Sequence, residues 1–437
     1  MTRSWSVVLG LLLTGSVAAQ TEYFVDAAAG SDQNPGTCAQ PFRSITFALN
    51  TATTNDTIRV RPGVYSTTAT GESFPLRLGT PRTHQGLQLR GAGVGQSVID
   101  MEQRSGSTFV VSRADFARVS GFTITNTGTN DWYAAGFTIG SYLSTNPTSG
   151  LRIDHIAFDR TNRGVLLFST TPSSSMCVVD DCLFSNLAND AFNDFTSGAN
   201  WFYNNTVVNT LHLGMTMDSP AATVWNNLFV GCQTGVALAP AAAGASIENN
   251  DFFGNAVAFT GAVNAALNRF VDPQFVNAAG GDYRLQATSP LLELSRTAVP
   301  VLDRDLRDNP RAMDADQDGN PVPDLGCHER TDVGLRLIGT WALGQTVLLD
   351  VGSPPAAAAV FLFGREEGAL LVPGAGTLLL DASRLLPFFL APTTVPGQFG
   401  LGLPNDPTLA CARVHLQALV VDAQLRMKFT NDLVEWF

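Results

Sequence analysis

The chain is almost without lysine. Lys428 is the only one, so the rest of its 26 basic residues are arginines. Charge of either sign is scarce, at 15% of residues, and the balance is acidic, with a net charge of −12. A nucleic-acid or anionic-membrane partner calls for clustered Lys and Arg, so this balance argues against both. The six cysteines, Cys38, Cys177, Cys182, Cys232, Cys327 and Cys411, include no CxxC pair, which argues against a zinc site. Beyond residue 20 there is no long apolar run, so no transmembrane segment is expected. The first residues do carry one short run. Arg3, the apolar stretch Val7 to Leu13 and the small residues Val17, Ala18 and Ala19 read as a secretory signal peptide over 1–19, cut after Ala19. The mature protein is therefore expected to be exported and soluble, and export permits disulfides.

What is abundant is apolar residues (45%) and glycine (40 residues), in 437 residues that suffice for two or three domains. A short phrase recurs: NNTVV at 204–208, NNLFV at 226–230 and NNDFF at 249–253. Aligned on their second asparagines, Asn205, Asn227 and Asn250 are 22 and 23 residues apart. Extended backward, the same column takes in Asp181 (DDCLF), His155 (DHIAF) and Gly121 (SGFTI), and forward it takes in Asn268 (LNRFV). A second short segment recurs beside it as AGFTIG, RGVLLF, DAFNDF, LGMTMD, TGVALA and NAVAFT. A period of roughly 20–25 residues made of short Val-, Ile-, Phe- and Thr-rich pieces means a stacked solenoid. Coils stacked at about 4.8 Å pair as parallel ladders, and parallel crossovers are almost always right-handed. The fold class is all-β: a right-handed parallel β-helix. The asparagines suit its corners, where Asn tolerates left-handed backbone, and stacked Asn side chains can hydrogen-bond along the axis.

Residues 23–65 begin YFVDAAAGSDQNPGTCAQPF and end DTIRVRPGVY. Between these pieces, Ile45, Ala48, Leu49 and Ala52 follow helical spacing, with Ser44 as N-cap, and predict one short helix laid over the open end of the core. Gly30, Asp32, Asn34, Pro35, Gly36, Pro41, Phe42, Ile45, Asp56, Pro62, Gly63 and Tyr65 make this stretch resemble the N-terminal capping module of secreted, pectate-lyase-like parallel β-helix proteins. At the far end, GDYRLQATSPLLE and DRDLRDNPRAMDADQDGNPVPDLGCHE resemble the closing segment of such proteins. The resemblance spans roughly 23–330 and implies the fold; the architecture hosts lyases, hydrolases, epimerases, tail spikes and adhesins, so it does not single out an activity. The chain thus divides into a cap and first coil (20–66), the β-helix (67–330) and, from 331 to 437, short strand-like runs at roughly ten-residue spacing that read as a C-terminal β-sandwich accessory module. In that module Trp341, Trp436 and Phe437 could stack on sugar.

Function is sought where the repeat keeps its register but changes its residues. Asn204-Asn205 gives way one coil earlier to Asp180-Asp181, and before that to Asp154-His155. In the second column, Asp190, Asn193 and Asp194, then His212 and Asp218, precede apolar counterparts. The interval from Gly121 to His155 is 34 residues, so the surplus, with Trp132 and Tyr133, should loop out of the wall. Trp201 and Tyr203 lie one coil beyond Asp180. The catalytic candidates are Asp180, Asp181, Asp190, Asp194, Asp218 and His155. The substrate-binding candidates are Trp132, Tyr133, Arg160, Arg163, Trp201, Tyr203 and His212. Flat aromatics beside carboxylates suit a polysaccharide groove.

A glycoside hydrolase needs two carboxylates about 5–9.5 Å apart, which Asp181, Asp190, Asp194 and Asp218 could supply. A uronate lyase needs a cation and a base. Some β-helix lyases use lysine for the base, but Lys428 lies outside the solenoid, so Arg160, Arg163 or His155 would have to serve. No cofactor is required, but Ca²⁺ is a candidate: Asp314, Asp316, Asp318 and Gly319 open like a calcium loop, with Leu325 where the closing Glu should stand and Asp324 beside it. Cys182 and Cys232, two coils apart, are expected to be buried thiols, while Cys327 could pair with Cys411 or Cys38. Two functions remain open: an exported polysaccharide hydrolase or lyase, and a non-catalytic surface or polysaccharide-binding protein. The first requires Asp181, Asp190, Asp194 and Asp218 to converge on one outer cleft.

Overall fold

The computed structural model describes residues 20–436, apart from 80–81, 141–147, 169–175, 262–263, 296–303, 312–321 and short stretches of the C-terminal part (332, 339–342, 353–356, 373–374, 387–392, 396, 407–408, 410 and 423). It is a right-handed parallel β-helix with three faces. The first face stacks ten strand segments from Glu22–Val25 to Asn264–Ala266. The second face begins at Gly63–Tyr65 and ends at Asp251–Phe253, and in two coils one strand, Arg118–Thr125 or Arg152–Asp159, bends through the corner to serve both faces. The third face is an eight-stranded sheet from Leu76–Leu78 to Val257–Thr260.

Every coil turns one column of apolar side chains inward from each face. On the first face it is Ile58, Leu89, Val119, Ile153, Val179, Phe202, Val224 and Ile247; on the third it is Leu76, Phe109, Phe137, Val165, Phe192, Met215 and Val236. All are almost fully buried in one continuous core. Phenylalanines stack in register along the axis, as in Phe158 on Phe184 at 4.6 Å and Phe229 on Phe252 at 5.2 Å. The helix Ile45–Thr51 closes the first coil as expected: Ser44 Oγ accepts from the amide of Phe47, and Ile45, Ala48 and Leu49 face the core.

The two asparagines of the repeat do different work, and the alignment shifts by one. Asn204, Asn226 and Asn249 hold the left-handed corner (φ 54–58°), in one column with Asp181 (51°), His155 (54°) and Gly121 (80°). The second asparagines point inward. Asn227 Oδ1 accepts from the amide and Nδ2 of Asn205, Asn250 Oδ1 does the same for Asn227, and Asn268 for Asn250. Their partner one coil before Asn205 is Cys182, not Asp181; the Cys182 amide donates to Asn205 Oδ1. The backbone sets this phase, because the corner requires left-handed φ and only the residue after it faces the core.

After the last coil the chain turns back along the corner between the first and second faces. Gly326 donates to the carbonyl of Asn226, Cys327 to Thr206 Oγ1, and Leu285, Leu291 and Leu325 pack on Leu228. Arg311, fully buried, reaches Asp181 across 130 residues of sequence and pairs with Glu329 on its other side, at 2.6 Å. From Gly334 the strands are antiparallel, in sheets of three, five and two, around a separate core that includes Leu335, Leu349, Phe361, Leu416 and Ala418. Trp341 and Phe437 lie outside the described residues, as does the side chain of Trp436. A disulfide joins Cys38 of the cap to Cys411 of this module. The pairing expected for Cys327 is thereby corrected: Cys327 is a buried free thiol under the returning segment, like Cys177, Cys182 and Cys232 in the coils.

Candidate functional site

The third face carries a polar and aromatic cluster on its outer wall. Its register places Arg163 beside Ala135 and, one coil on, beside Asp190. The loop before Ala135 is tied down at Asp131, whose carboxylate accepts from the amide of Tyr133 and whose carbonyl accepts from Asn162 Nδ2. This brings Trp132 over the wall. Its ring lies 4.8 Å from the Arg163 guanidinium, which also donates to the Trp132 carbonyl, and it stacks near Phe168 (5.7 Å) and Phe195 (6.1 Å). Trp132 and Tyr133 remain 46% and 50% exposed, an unusual state for such large apolar surfaces.

Below Arg163, Asp190 organises four partners. Its Oδ1 accepts from His212 Nδ1 at 2.7 Å and from the Leu213 amide; its Oδ2 accepts from Asn193 Nδ2 at 2.7 Å and faces Arg163 Nε at 3.6 Å. Asp190 is buried, whereas the His212 side chain is half exposed. The bond at Nδ1 fixes the tautomer and leaves Nε2 available to a ligand. Asn193 is 2% exposed and its Oδ1 is buried without a hydrogen-bond partner, so it supports Asp190 from beneath the surface. Burial lowers the pKa of Arg163, with Asp190 opposing the shift. The cluster offers an exposed flat face and an oriented, half-exposed imidazole, backed by a buried cation, within one contiguous patch.

The remaining candidates do not join it. Asp194 turns into the core, where it accepts from Thr196 and from Asn200 Nδ2, and burial raises its pKa. Asn200 in turn caps the Cys177 amide, so Asp194 supports a coil corner. Asp218, its pKa raised by burial, follows the strand Leu213–Met217 and lies five residues along the wall from the Asp190 column, about 16 Å at strand rise and too far for a paired-carboxylate mechanism. Asp180 and Asp154 are fully buried in forked pairs with Arg152 and Arg118 on the first face. Asp181 is bound by Arg311. The four carboxylates therefore do not converge on one cleft. Trp201 and Tyr203 sit on the outer wall of the first face, their rings 6.4 Å apart, and Arg160 pairs with Asp159 at 2.9 Å near the second-face corner.

No group of three or more His, Cys, Asp or Glu among the described residues is arranged to hold a metal ion. Asp314, Asp316 and Asp318 lie outside the described residues. Asp324 is committed to backbone: its two oxygens accept from the amides of Glu293 and Arg330, and burial raises its pKa to about 6. Among the described residues no helix is long and apolar enough to cross a membrane.

His155 is also taken out of the catalytic set. It is buried at a corner, with Nδ1 2.8 Å from Asp154. Burial opposes its charge, but the hydrogen bond and charge of Asp154 prevail, with Asp181 and Asp308 adding to them, and the pKa rises to about 9. The folded state therefore keeps a proton that the unfolded state releases near 6.5. Its stabilisation is present below that pH and is lost as pH rises to 9, at on the order of 1 kcal/mol per pH unit. Urea midpoints between pH 6.5 and 9 should fall accordingly, and His155→Gln should flatten this slope.

Residues 28–272, more than half the chain, match the family described as "Protein of unknown function (DUF1565)". The chain belongs to this family. The match runs from the cap to just past the last parallel strand, and leaves the returning segment and the antiparallel module outside. No curated protein gives a significant match. Among solved structures, the family fold in this chain is similar to a rhamnogalacturonan lyase (14% identity, 57% of this chain and 62% of that one, TM-score 0.35). It is also similar to the GH136 lacto-N-biosidase from Eubacterium ramulus (12%, 54% and 51%, TM-score 0.38) and to the pectate lyase Pel9A (14%, 72% and 98%, TM-score 0.40). The chain spans only about 62% and 51% of the first two. At these identities and TM-scores the likenesses carry nothing about activity or substrate, and the parallel β-helix rests on the paired coils of this chain.

The sequence signal for the patch was the swap of apolar for polar residues at Asp190, Asn193 and His212 together with the surplus loop. The arginine partners Arg118 and Arg152, which share a column three residues before the corner residues Gly121 and His155, were missed; the matched openings RVSGF and RIDHI carried that signal.

Proposed function

We propose that this is an exported carbohydrate-binding protein that holds a glycan against the outer wall of its third face. The observation that carries this reading is the exposed Trp132, with Tyr133 beside it, set over Arg163 and continuous with Asp190, Asn193 and His212. A sugar ring stacks on the indole, while the half-exposed His212 Nε2 meets its hydroxyls. Failure of the four carboxylates to converge favours binding over two-carboxylate hydrolysis. In a screen of polysaccharides and oligosaccharides by calorimetry, Trp132→Ala should weaken binding of the best ligand tenfold or more, roughly one lost stacking anchor. Unchanged affinity would refute the site.

One observation supports a catalytic second reading: the buried Asp190 fixes an exposed His212 as a single base. If the wild type turns over any bound glycan, His212→Gln should abolish turnover and leave binding within a few-fold.

A further inference from the structure

The outer wall of the first face carries a ladder of arginines through the early coils. Arg59 and Arg90 are register partners, as are Arg118 and Arg152 in the neighbouring column. Three of the four have carboxylate partners: Glu22 for Arg59, Asp154 for Arg118 and Asp180 for Arg152. Arg90 makes no ion pair with any described residue. Among the described residues its one side-chain hydrogen bond is a long one, from a terminal nitrogen to Gln88 Oε1 at 3.3 Å, and its Nε is buried without an acceptor. It lines a recess open to solvent, shared with Gln20, Glu22, Thr57, Arg59 and Gln88.

Charged groups of the C-terminal module, Glu367 and Arg413, act on Arg90 from outside the recess lining. Arg304 of the returning segment pairs with Glu367 of the module at 2.8 Å, and the disulfide at Cys411 fixes the strand that begins at Arg413. Burial and then the like charges of Arg118, Arg59 and Arg413 push the pKa of Arg90 down to about 10, with Glu367 only partly offsetting them. In a chain of net charge −12, this is a local excess of cation held by the fold.

We propose that the recess at Arg90 binds the carboxylate of an acidic sugar. The two terminal nitrogens of the guanidinium can take a carboxylate end-on through two parallel N–H···O bonds. Gln20, Thr57 and Gln88 border the same opening with neutral donors and acceptors suited to ring hydroxyls. The recess is on a different face from Trp132, and the module charges that act on Arg90, Glu367 and Arg413, lie beyond the family match. It is therefore a second site, independent of the reading for the third face.

The test is calorimetric titration of the full chain at low salt with sodium glucuronate, glucose and sodium sulfate. Glucuronate should bind and glucose should not. Arg90→Gln should weaken glucuronate tenfold or more, and Arg90→Lys, which keeps charge but loses the fork, should also weaken it. Both variants should retain the wild-type circular dichroism and melting midpoint, because Arg90 holds no ion pair that folding needs. Trp132→Ala should leave glucuronate binding unchanged, which separates this site from the third face. Wild-type affinity in Arg90→Gln, or sulfate binding as tightly as glucuronate, would overturn the proposal.

Discussion

Arg311→Leu should lower the free energy of unfolding by about 3–5 kcal/mol, the usual effect of removing one partner from a buried ion pair. Arg311 has no exposed surface and bridges Asp181 and Glu329, with a further bond to the carbonyl of Gly326. The carboxylates do not contribute equally. Burial, then the charge of Asp324, pushes the Glu329 pKa well up, so it tolerates loss of the arginine by taking a proton. Asp181 is fully buried at a left-handed corner and takes two of the arginine's bonds, from Nε and Nη2, whereas Glu329 takes one. Most of the cost should therefore disappear in the double variant Arg311→Leu/Asp181→Asn, and much less in Arg311→Leu/Glu329→Gln. Urea unfolding followed by circular dichroism measures all three. Equal recovery in both double variants would contradict the assignment of Asp181 as the charge partner.

Asn227→Ala should cost about 3–5 kcal/mol. Its side chain accepts from the amide and Nδ2 of Asn205 and donates to the carbonyls of Phe202 and Trp225 and to Asn250 Oδ1. Alanine leaves the buried Asn205 N–H without its acceptor, at about 1–3 kcal/mol, and removes the other bonds at about 0.5–1.5 kcal/mol each. Asn204→Gly is the matched control. Asn204 is as buried as Asn227, but both polar atoms of its side chain lack hydrogen bonds, so the position asks only for left-handed backbone, which glycine supplies. The control should stay within about 1 kcal/mol of wild type. If the two substitutions cost the same, the separation of corner and ladder roles is wrong.

The period, the cap helix and the parallel coils were legible because each is written locally: an asparagine pair every 22 or 23 residues, and a Ser44-capped run of Ile45, Ala48 and Leu49. The column assignment slipped because the two asparagines look alike in sequence, whereas their roles are set by φ. Asp194 looked like a wall residue, but in DAFNDF the alternation that turns Asn193 outward turns Asp194 inward. Nothing near Asp181 in sequence announces Arg311, because the partner returns only after the solenoid is complete. Asp190, His212, Arg163 and Trp132 could be picked as individuals, yet their assembly depends on three consecutive coils and one loop, which only the stacking register brings together.

The bond between Cys38 and Cys411 closes all but the ends of the chain into a covalent ring. A single protease cut anywhere between those cysteines would open the ring without releasing either fragment. The module beyond Gly334 therefore stays attached to the cap even after its linker to the solenoid is severed, as long as the surroundings are oxidising. Among secreted proteases, where the proposed export would place the protein, such a closure keeps the module tied to the cap after a nick that would dismantle an open chain.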